Sequence, residues 1–281
     1  MDQAAILRHF SISSDDILGG GGEADVYALD RRRVLRLMHE DACAKSEARR
    51  RDMLALLAKR DHMVDFAIPR VLDHGTRSGR IFTIEERIAG ISMDKALMGQ
   101  PTARADLITN YMQAARDVAD LYHPPQFGEL CADEPQQAAT QTQALEAIAR
   151  RSLRLAGLSG DVTAIPTGEL PDAGSPALVQ LDYYPANVMC DGSQITGVID
   201  FGYATIAADA RLTPIVAGAC LHSRITARAT DADREVADAW LAQRDLMRFV
   251  APVNRWLACY WAFAFADDPA LEIWGRAQLG L

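Results

Sequence analysis

The chain has 281 residues, 49% hydrophobic and 24% charged, the balance of a folded chain long enough for one large domain or two lobes and too apolar for a disordered one. A formal net charge of −9 disfavours a nucleic-acid backbone binder, and no apolar run approaches the ~18–20 residues that span a bilayer. Five scattered cysteines and an opening without a secretory signal complete the expectation of a reduced, cytoplasmic protein without disulfides or structural zinc.

In the first ninety residues, short strand-like runs alternate with turns. Ser11–Leu18 and Asp25–Leu29 read as strands on either side of Gly19, Gly20, Gly21 and Gly22. By itself that run fits a flexible linker. Placed between two strands, it also fits a turn whose bare backbone N–H groups approach phosphate oxygens. A Walker loop is excluded, because no Gly-Lys-Ser/Thr follows and the next element is a strand. Asp25–Leu29 and Val34–Met38 flank the charged turn Asp30–Arg33 as a hairpin. A helix is predicted from about Asp41 to Arg60, with Arg49–Arg51 on a solvated face. Ile68–Leu72 and Arg80–Glu86 read as two further strands broken by Gly75 and Gly79.

Beyond a boundary near Ala89–Ile91 helices dominate. Thr102–His123 is periodic and stops at Pro124–Pro125, and Gln136–Leu155 is a second helix before a Gly/Pro-rich loop. A β island occupies Ala177–Asp200, and the remainder reads as helical through Trp274. The fold class is therefore α+β in two lobes, residues 1–90 and 91–281. Charge is uneven between them: residues 91–200 carry 14 acidic and 6 basic side chains, residues 1–90 fifteen of each. A solvated helix face and a cleft for a metal or a cationic substrate both fit that excess.

The β island carries the chemistry. Asp191–Gly192 is a two-residue hairpin signal between Val188–Cys190 and Gln194–Ile199. Extended past the strand ends, that register sets Asp200 roughly opposite position 183 and gathers Asp182, Asn187 and Asp200 at one strand edge. Two carboxylates and a carboxamide form an oxygen-rich set suited to Mg²⁺, with waters and substrate phosphates completing the octahedron. An Asx-rich turn that merely caps backbone groups explains one such residue and not three converging ones.

Asp182, Asn187 and the run Ile199-Asp200-Phe201-Gly202 resemble the Brenner-type motif of the aminoglycoside phosphotransferase/choline kinase family. The glycine run before Val26-Tyr27, the strand Val34-Leu35-Arg36-Leu37, Glu47 with Leu54, Ile68–Leu72 and Ile84–Gly90 are similar to further stretches of that family in the same order, over roughly residues 15–215. The resemblance implies a protein-kinase-like fold with a small β-rich N-lobe and a larger helical C-lobe. It implies that Asp182 orients the acceptor hydroxyl and takes its proton, and that Asn187 and Asp200 hold Mg²⁺ on ATP or GTP. Gly19–Gly22 and Arg36 would contact phosphates, Glu47 would steady Arg36, and the hinge backbone at about Ile84, Glu85 and Glu86 would meet the adenine edge. Arg36 stands where lysine is commoner, Gln180-Leu181 replaces the usual His-Gly, and Asp209 lacks the usual neighbouring proline and is taken as structural.

The partners implied are a nucleotide and a small-molecule acceptor; a nucleotide-binding pseudokinase and a protein kinase are the competing readings. The missing His-Arg-Asp loop and Ala-Pro-Glu segment disfavour the protein kinase. The late aromatics Trp256, Tyr260, Trp261, Phe263 and Phe265 fit both a helix packed in the core and part of a cation–π cage.

Overall fold

Alternating apolar residues in the first ninety positions build a five-stranded antiparallel sheet. A computed structural model describes residues 3–99, 101–172 and 174–281. Helix α1 (Gln3–His9) precedes β1 (Ile17–Gly20), β2 (Ala24–Ala28) and β3 (Arg33–Met38); α2 (Ala44–Leu57) follows, then β4 (Val71–Arg77) and β5 (Arg80–Glu86). The strands lie in the order β1-β2-β3-β5-β4. One face of the sheet buries Tyr27, Leu35, Leu37 and Ile84 against Ile6 and Leu7 of α1. The other face, on which Arg36, Thr83 and Glu85 lie side by side, is turned to α2.

Three expectations for this lobe change. Ser13 caps a 3-10 turn at Ser14–Asp16, accepting from Asp15 N at 3.2 Å, so the first strand begins only at Ile17. Helix α2 starts at Ala44, three residues after Asp41. The fourth strand lies at Val71–Arg77 and runs through Gly75, where the Phe82 ring from β5 fills the space above the missing side chain; the turn is left to Ser78 and Gly79.

The larger lobe opens with β6 (Ile91–Ser92), α3 (Met93–Ala96) and α4 (Pro101–Asp117), followed by β7 (Phe127–Glu129), β8 (Gln137–Ala138) and α5 (Gln141–Leu155). Then come β9 (Ala177–Gln180), β10 (Val188–Asp191), β11 (Gln194–Val198) and β12 (Thr205–Ala208), and helices α6 (Leu212–Cys220), α7 (Asp231–Ala242), α8 (Met247–Trp261) and α9 (Pro269–Leu279). Strands form two small sheets, β11-β10-β6 and β8-β7-β12-β9. The segment after Asp200 is thus not helical at once: Thr205–Ala208 pairs with both β9 and β7 and is buried at all four positions. A four-residue strand buried on both faces has no alternation to reveal it. The same holds for β7, buried at all three positions.

One hydrophobic cluster runs through the larger lobe and takes in Met53, Leu54 and Leu57 of α2 together with Phe66 and Ile68. The two lobes are also tied at Gly90. Its φ of 103° is in the left-handed region, and a Cβ there would stand 2.4 Å from the Cys190 carbonyl oxygen. Among the described residues no helix is long and apolar enough to cross a membrane, and all five cysteines are free thiols.

Candidate active site

The hairpin β10–β11 turns at Gly192-Ser193, with Asp191 paired to Gln194, one residue later than expected. Gly192 takes φ 59° as the first of two central residues, the role glycine fills in a II′ turn. A shift between Met189 and Cys190 then pairs Val188 with Val198. Carried on, this register sets Asp200 near position 186 instead of 183, and the Ile199 N–H donates to the Asn187 carbonyl at 2.9 Å. Asn187 and Asp200 therefore meet more directly than the predicted register allowed.

Asp182 follows β9 on the neighbouring sheet. The Asn187 carboxamide nitrogen donates to the Asp182 carbonyl at 2.9 Å. The Asn187 Oδ1 accepts no hydrogen bond among the described residues. Gln180 is wholly buried and does the bracing: its Nε2 donates to the Asp200 carbonyl at 2.6 Å, and its Oε1 accepts from Thr205 Oγ1 at 3.2 Å. Asp200 needs that support, for its φ of 62° is a strained, left-handed conformation for a non-glycine residue.

Both carboxylates lie deep in the molecule but on the floor of a cleft, so solvent still reaches them; Asp200 keeps 43% of its side chain exposed. Burial, then the Asp200 charge and then Glu23 push Asp182 up to about 7, opposed by the Trp261 indole. Burial likewise raises Asp200, with Arg36 pulling the other way. Two carboxylates held together against their mutual repulsion are a fit for a divalent ion. No group of three or more His, Cys, Asp or Glu side chains that could hold a metal occurs among the described residues. Mg²⁺ here would take Asn187 Oδ1 and the Asp200 carboxylate, with oxygens of a phosphate and water filling the remaining positions.

Across the cleft stands Arg36, 6% exposed. Its Nη1 donates to Glu47 Oε2 at 3.1 Å, and its Nη2 turns to the cleft, 2.8 Å from Glu23 Oε2 and 3.8 Å from Asp200 Oδ1. Glu23, the residue after the glycine run, was not singled out in the sequence. Its other oxygen accepts from the Tyr203 N–H at 3.4 Å, so one carboxylate bridges the glycine turn and the loop that carries Asp200. Gly202 admits it, since a Cβ there would come within 3.1 Å of Glu23 Oε2. Gly19 and Gly20 end β1, and Gly21 N–H donates to Ala24 O at 3.1 Å. None of Gly19–Gly22 has a positive φ, and beside Gly19, Gly21 and Gly22 there is open space. What the run offers is uncovered backbone.

The hinge residues divide. Ile84 is packed in the N-lobe core, and Glu85 is 5% exposed and bound to Arg50. The Glu86 N–H donates to Arg70 O at 2.9 Å. Neither Ile84 nor Glu85 turns its side chain to the cleft.

Arg49–Arg51 is only partly the solvated face expected: Arg49 is exposed, but Arg50 is 3% exposed. The spacing of Glu47 and Arg50, one helical turn, was the available signal, since residues i and i+3 share a face. Burial alone would raise the Glu85 carboxyl, yet Arg50 and Arg36 beside it hold it below the usual carboxylate range.

Asp209 is structural, accepting from Arg211 N, Nε and Nη2. The late aromatics fill each other's faces: Trp256 stacks on Tyr260 at 5.6 Å, and Trp261 lies 5.5 Å from Trp274. That is core packing, with Phe263 alone of the five exposed. Beside Glu23 and Gly202 lies a cavity of about 450 Å³. Gly22, Glu23, Gly202 and Tyr203 line it, with carboxylates of Asp41, Asp133 and Glu134; Asp182 does not.

Among solved structures, the streptomycin–ATP ternary complex of APH(2'')-IIa is 15% identical, with a TM-score of 0.60 over 99% of this chain and 96% of that one. ADP-bound APH(2'')-Ib is 14% identical, with a TM-score of 0.62 over 99% and 97% of the two chains. APH(3'')-Id from Streptomyces rimosus ATCC10970 is 18% identical, with a TM-score of 0.55 over 89% and 97%. At such identities the likeness is one of fold: β-rich first lobe, helical second lobe. No curated protein matches the sequence. The model of the phosphotransferase enzyme family matches residues 17–210, from β1 through β12. With most of its length inside that match and the two-lobed kinase-like architecture around it, the chain belongs to the phosphotransferase enzyme family.

Proposed function

We propose that the protein is a small-molecule kinase transferring the γ-phosphoryl group of ATP or GTP to a hydroxyl of a small cationic acceptor of the aminoglycoside kind. The observation that carries this reading is the meeting of Asp182, Asn187 and Asp200 on one side of a cleft with the Glu47-held Arg36 guanidinium on the other. The Asp182 carboxylate orients the acceptor hydroxyl and takes its proton as the oxygen attacks the γ-phosphorus. The bond from that phosphorus to the β–γ bridging oxygen breaks, and the electron pair leaves on the nucleoside diphosphate. Arg36 Nη2 faces the α/β-phosphates, where a forked guanidinium matches phosphate geometry. Mg²⁺ held by Asn187 and Asp200 would neutralise charge on the phosphates, the main electrostatic demand of a loose phosphoryl-transfer transition state. The uncovered backbone at Gly19–Gly22 lies over the phosphates, and the purine edge meets the connection that starts at Glu86. A cationic acceptor is supported by the acidic excess of residues 91–200.

The test is transfer of labelled γ-phosphate from ATP and GTP to a pooled panel of aminoglycosides, macrolides, amino alcohols, homoserine and sugars, with and without Mg²⁺. Asp182→Asn is expected to keep nucleotide binding and lose transfer by about 10³-fold or more, as removal of a reacting group does. Asp200→Ala is expected to weaken Mg-nucleotide binding itself. Equal loss of nucleotide affinity in both variants contradicts these roles, and nucleotide binding without transfer to any acceptor class favours a pseudokinase.

A further inference from the structure

We infer that Arg50 is a positioning residue that decides which nitrogen of Arg36 faces the nucleotide phosphates. The inference rests on the phosphotransferase reading and concerns a second, buried ion pair behind the Arg36–Glu47 contact. Arg50 Nη1 donates to Glu85 Oε1 at 2.8 Å and to Glu47 Oε1 at 3.2 Å, and its Nη2 donates to Glu85 Oε2 at 3.1 Å. Thr83 Oγ1 adds a donor to Glu85 Oε1 at 2.7 Å. Glu47, Arg50 and Glu85 are all at most 5% exposed, and Arg50 Nε is buried without any partner. An arginine that forgoes one hydrogen bond in order to spend both terminal nitrogens on two carboxylates is held by those carboxylates and not by general packing.

Arg50 draws Glu47 Oε1 to its own side, and Arg36 meets Glu47 through Nη1 and Oε2 alone, the same Nη1 also donating to Met38 Sδ at 2.7 Å. Arg36 Nη2 then lies on the cleft side, where it donates to Glu23 Oε2 at 2.8 Å and stands 3.8 Å from Asp200 Oδ1. Without Arg50, nothing turns Glu47 Oε1 aside, and the bidentate fork is the preferred geometry of an arginine–carboxylate pair. Arg36 would then turn both nitrogens to Glu47 and away from the phosphates. Glu85 anchors the arrangement to β5, the strand that leads into the interlobe connection, so one buried chain of four alternating charges joins the connection, α2 and β3.

The test is a cycle of variants read by calorimetric titration with Mg-ADP and by thermal melting. Removing both members of a buried pair spares the fold the isolated charge that a single substitution would leave. R50M/E85M is therefore expected to melt near the wild type yet bind Mg-ADP about tenfold more weakly, the worth of one charge-assisted contact. In an R36K background the same two substitutions are expected to change affinity by less than about twofold, because a lysine ammonium has no second nitrogen for Glu47 to capture. R50K, which keeps the charge but cannot hold Glu85 bidentately and Glu47 together, serves as the second variant; its loss is expected between these limits and again only when residue 36 is arginine. Equal losses in the two backgrounds, or full affinity in R50M/E85M, would overturn the inference. A wild-type protein that binds no Mg-nucleotide overturns the phosphotransferase reading, and this assignment with it.

Discussion

Glu23 sits where the proposed reaction needs phosphate. Its carboxylate is 2.8 Å from Arg36 Nη2, the nitrogen that faces the cleft, and it adds negative charge beside Asp182 and Asp200. A nucleotide must displace it, so Glu23→Gln is expected to tighten Mg-ADP binding severalfold, as a charged competitor gives way to a neutral one. Titration calorimetry on the variant decides this; weaker binding would mean that Glu23 helps to hold the metal instead. The raised carboxyls make a second prediction. Asp182 titrates near 3.8 in an unfolded chain and at about 7 in the ligand-free fold. Below pH 3.8 both states are protonated and the group is neutral to stability. Between these values the unfolded chain ionises while the fold keeps its proton, so stability falls as pH rises. Asp182→Asn should therefore raise the melting temperature of the ligand-free protein by a few degrees at pH 8 and hardly at all at pH 4. A melting temperature unchanged or lowered at pH 8 would show that Asp182 carries no such penalty.

At the scale of elements, the connection between the lobes is the exacting one. Gly90 combines a positive φ with contact against the Cys190 carbonyl, and Thr196 Oγ1 donates to the Ala89 carbonyl beside it at 2.6 Å. Gly90→Ala brings both strain and a clash and is expected to cost about 2 kcal/mol or more, read as a lowered urea midpoint. Helix α2 has two jobs along its length. Glu47 and Arg50 serve the charge chain, whereas Leu54 and Leu57, further down the same face, are buried in the core of the larger lobe. Leu54→Ala should cost about 2–5 kcal/mol, the range for an emptied core site. Because this packing sets where Glu47 stands, the same variant should weaken nucleotide affinity, which a distant core substitution such as Ile148→Ala should not.

For the whole molecule, two facing lobes make nucleotide binding a stabilising event. At about 100 times its dissociation constant, a ligand of the folded state adds about 2.7 kcal/mol, which corresponds to a rise of about 5–10 °C in melting temperature for a chain of this size. Mg-ADP is expected to give such a rise, EDTA to remove most of it, Asp200→Ala to abolish it and Asp182→Asn to leave it intact. A shift indifferent to EDTA would remove the metal from the proposal.

How far the chain was legible without its structure depended on whether the chemistry was local. Strand alternation in β2, β3 and β5, the long helices, and the spacing from Asp182 through Asn187 to Asp200 are written in neighbouring residues, and they carried the two-lobed fold and its family. Short strands buried on both faces, β7 and β12, have no such signature. The turn at Gly192-Ser193 moved the register because glycine at the first central position satisfied a different turn from the one its neighbour Asp191 suggested. Arg49–Arg51 looked solvated because charge in a sequence says nothing of what lies opposite. Only the packing of α2 against β3 and β5 brought Glu85 to Arg50, 35 residues away, and only the closing of the glycine turn over the loop of Asp200 brought Glu23 to Arg36 and Tyr203. The sequence by itself determined which candidate reacting groups the protein carries, since these follow from residue type and spacing along the chain. Tertiary structure alone decided how those groups are aimed, because the partners of a buried charge are chosen across elements by desolvation and Coulomb attraction, which act through space and leave no trace in the local order of residues.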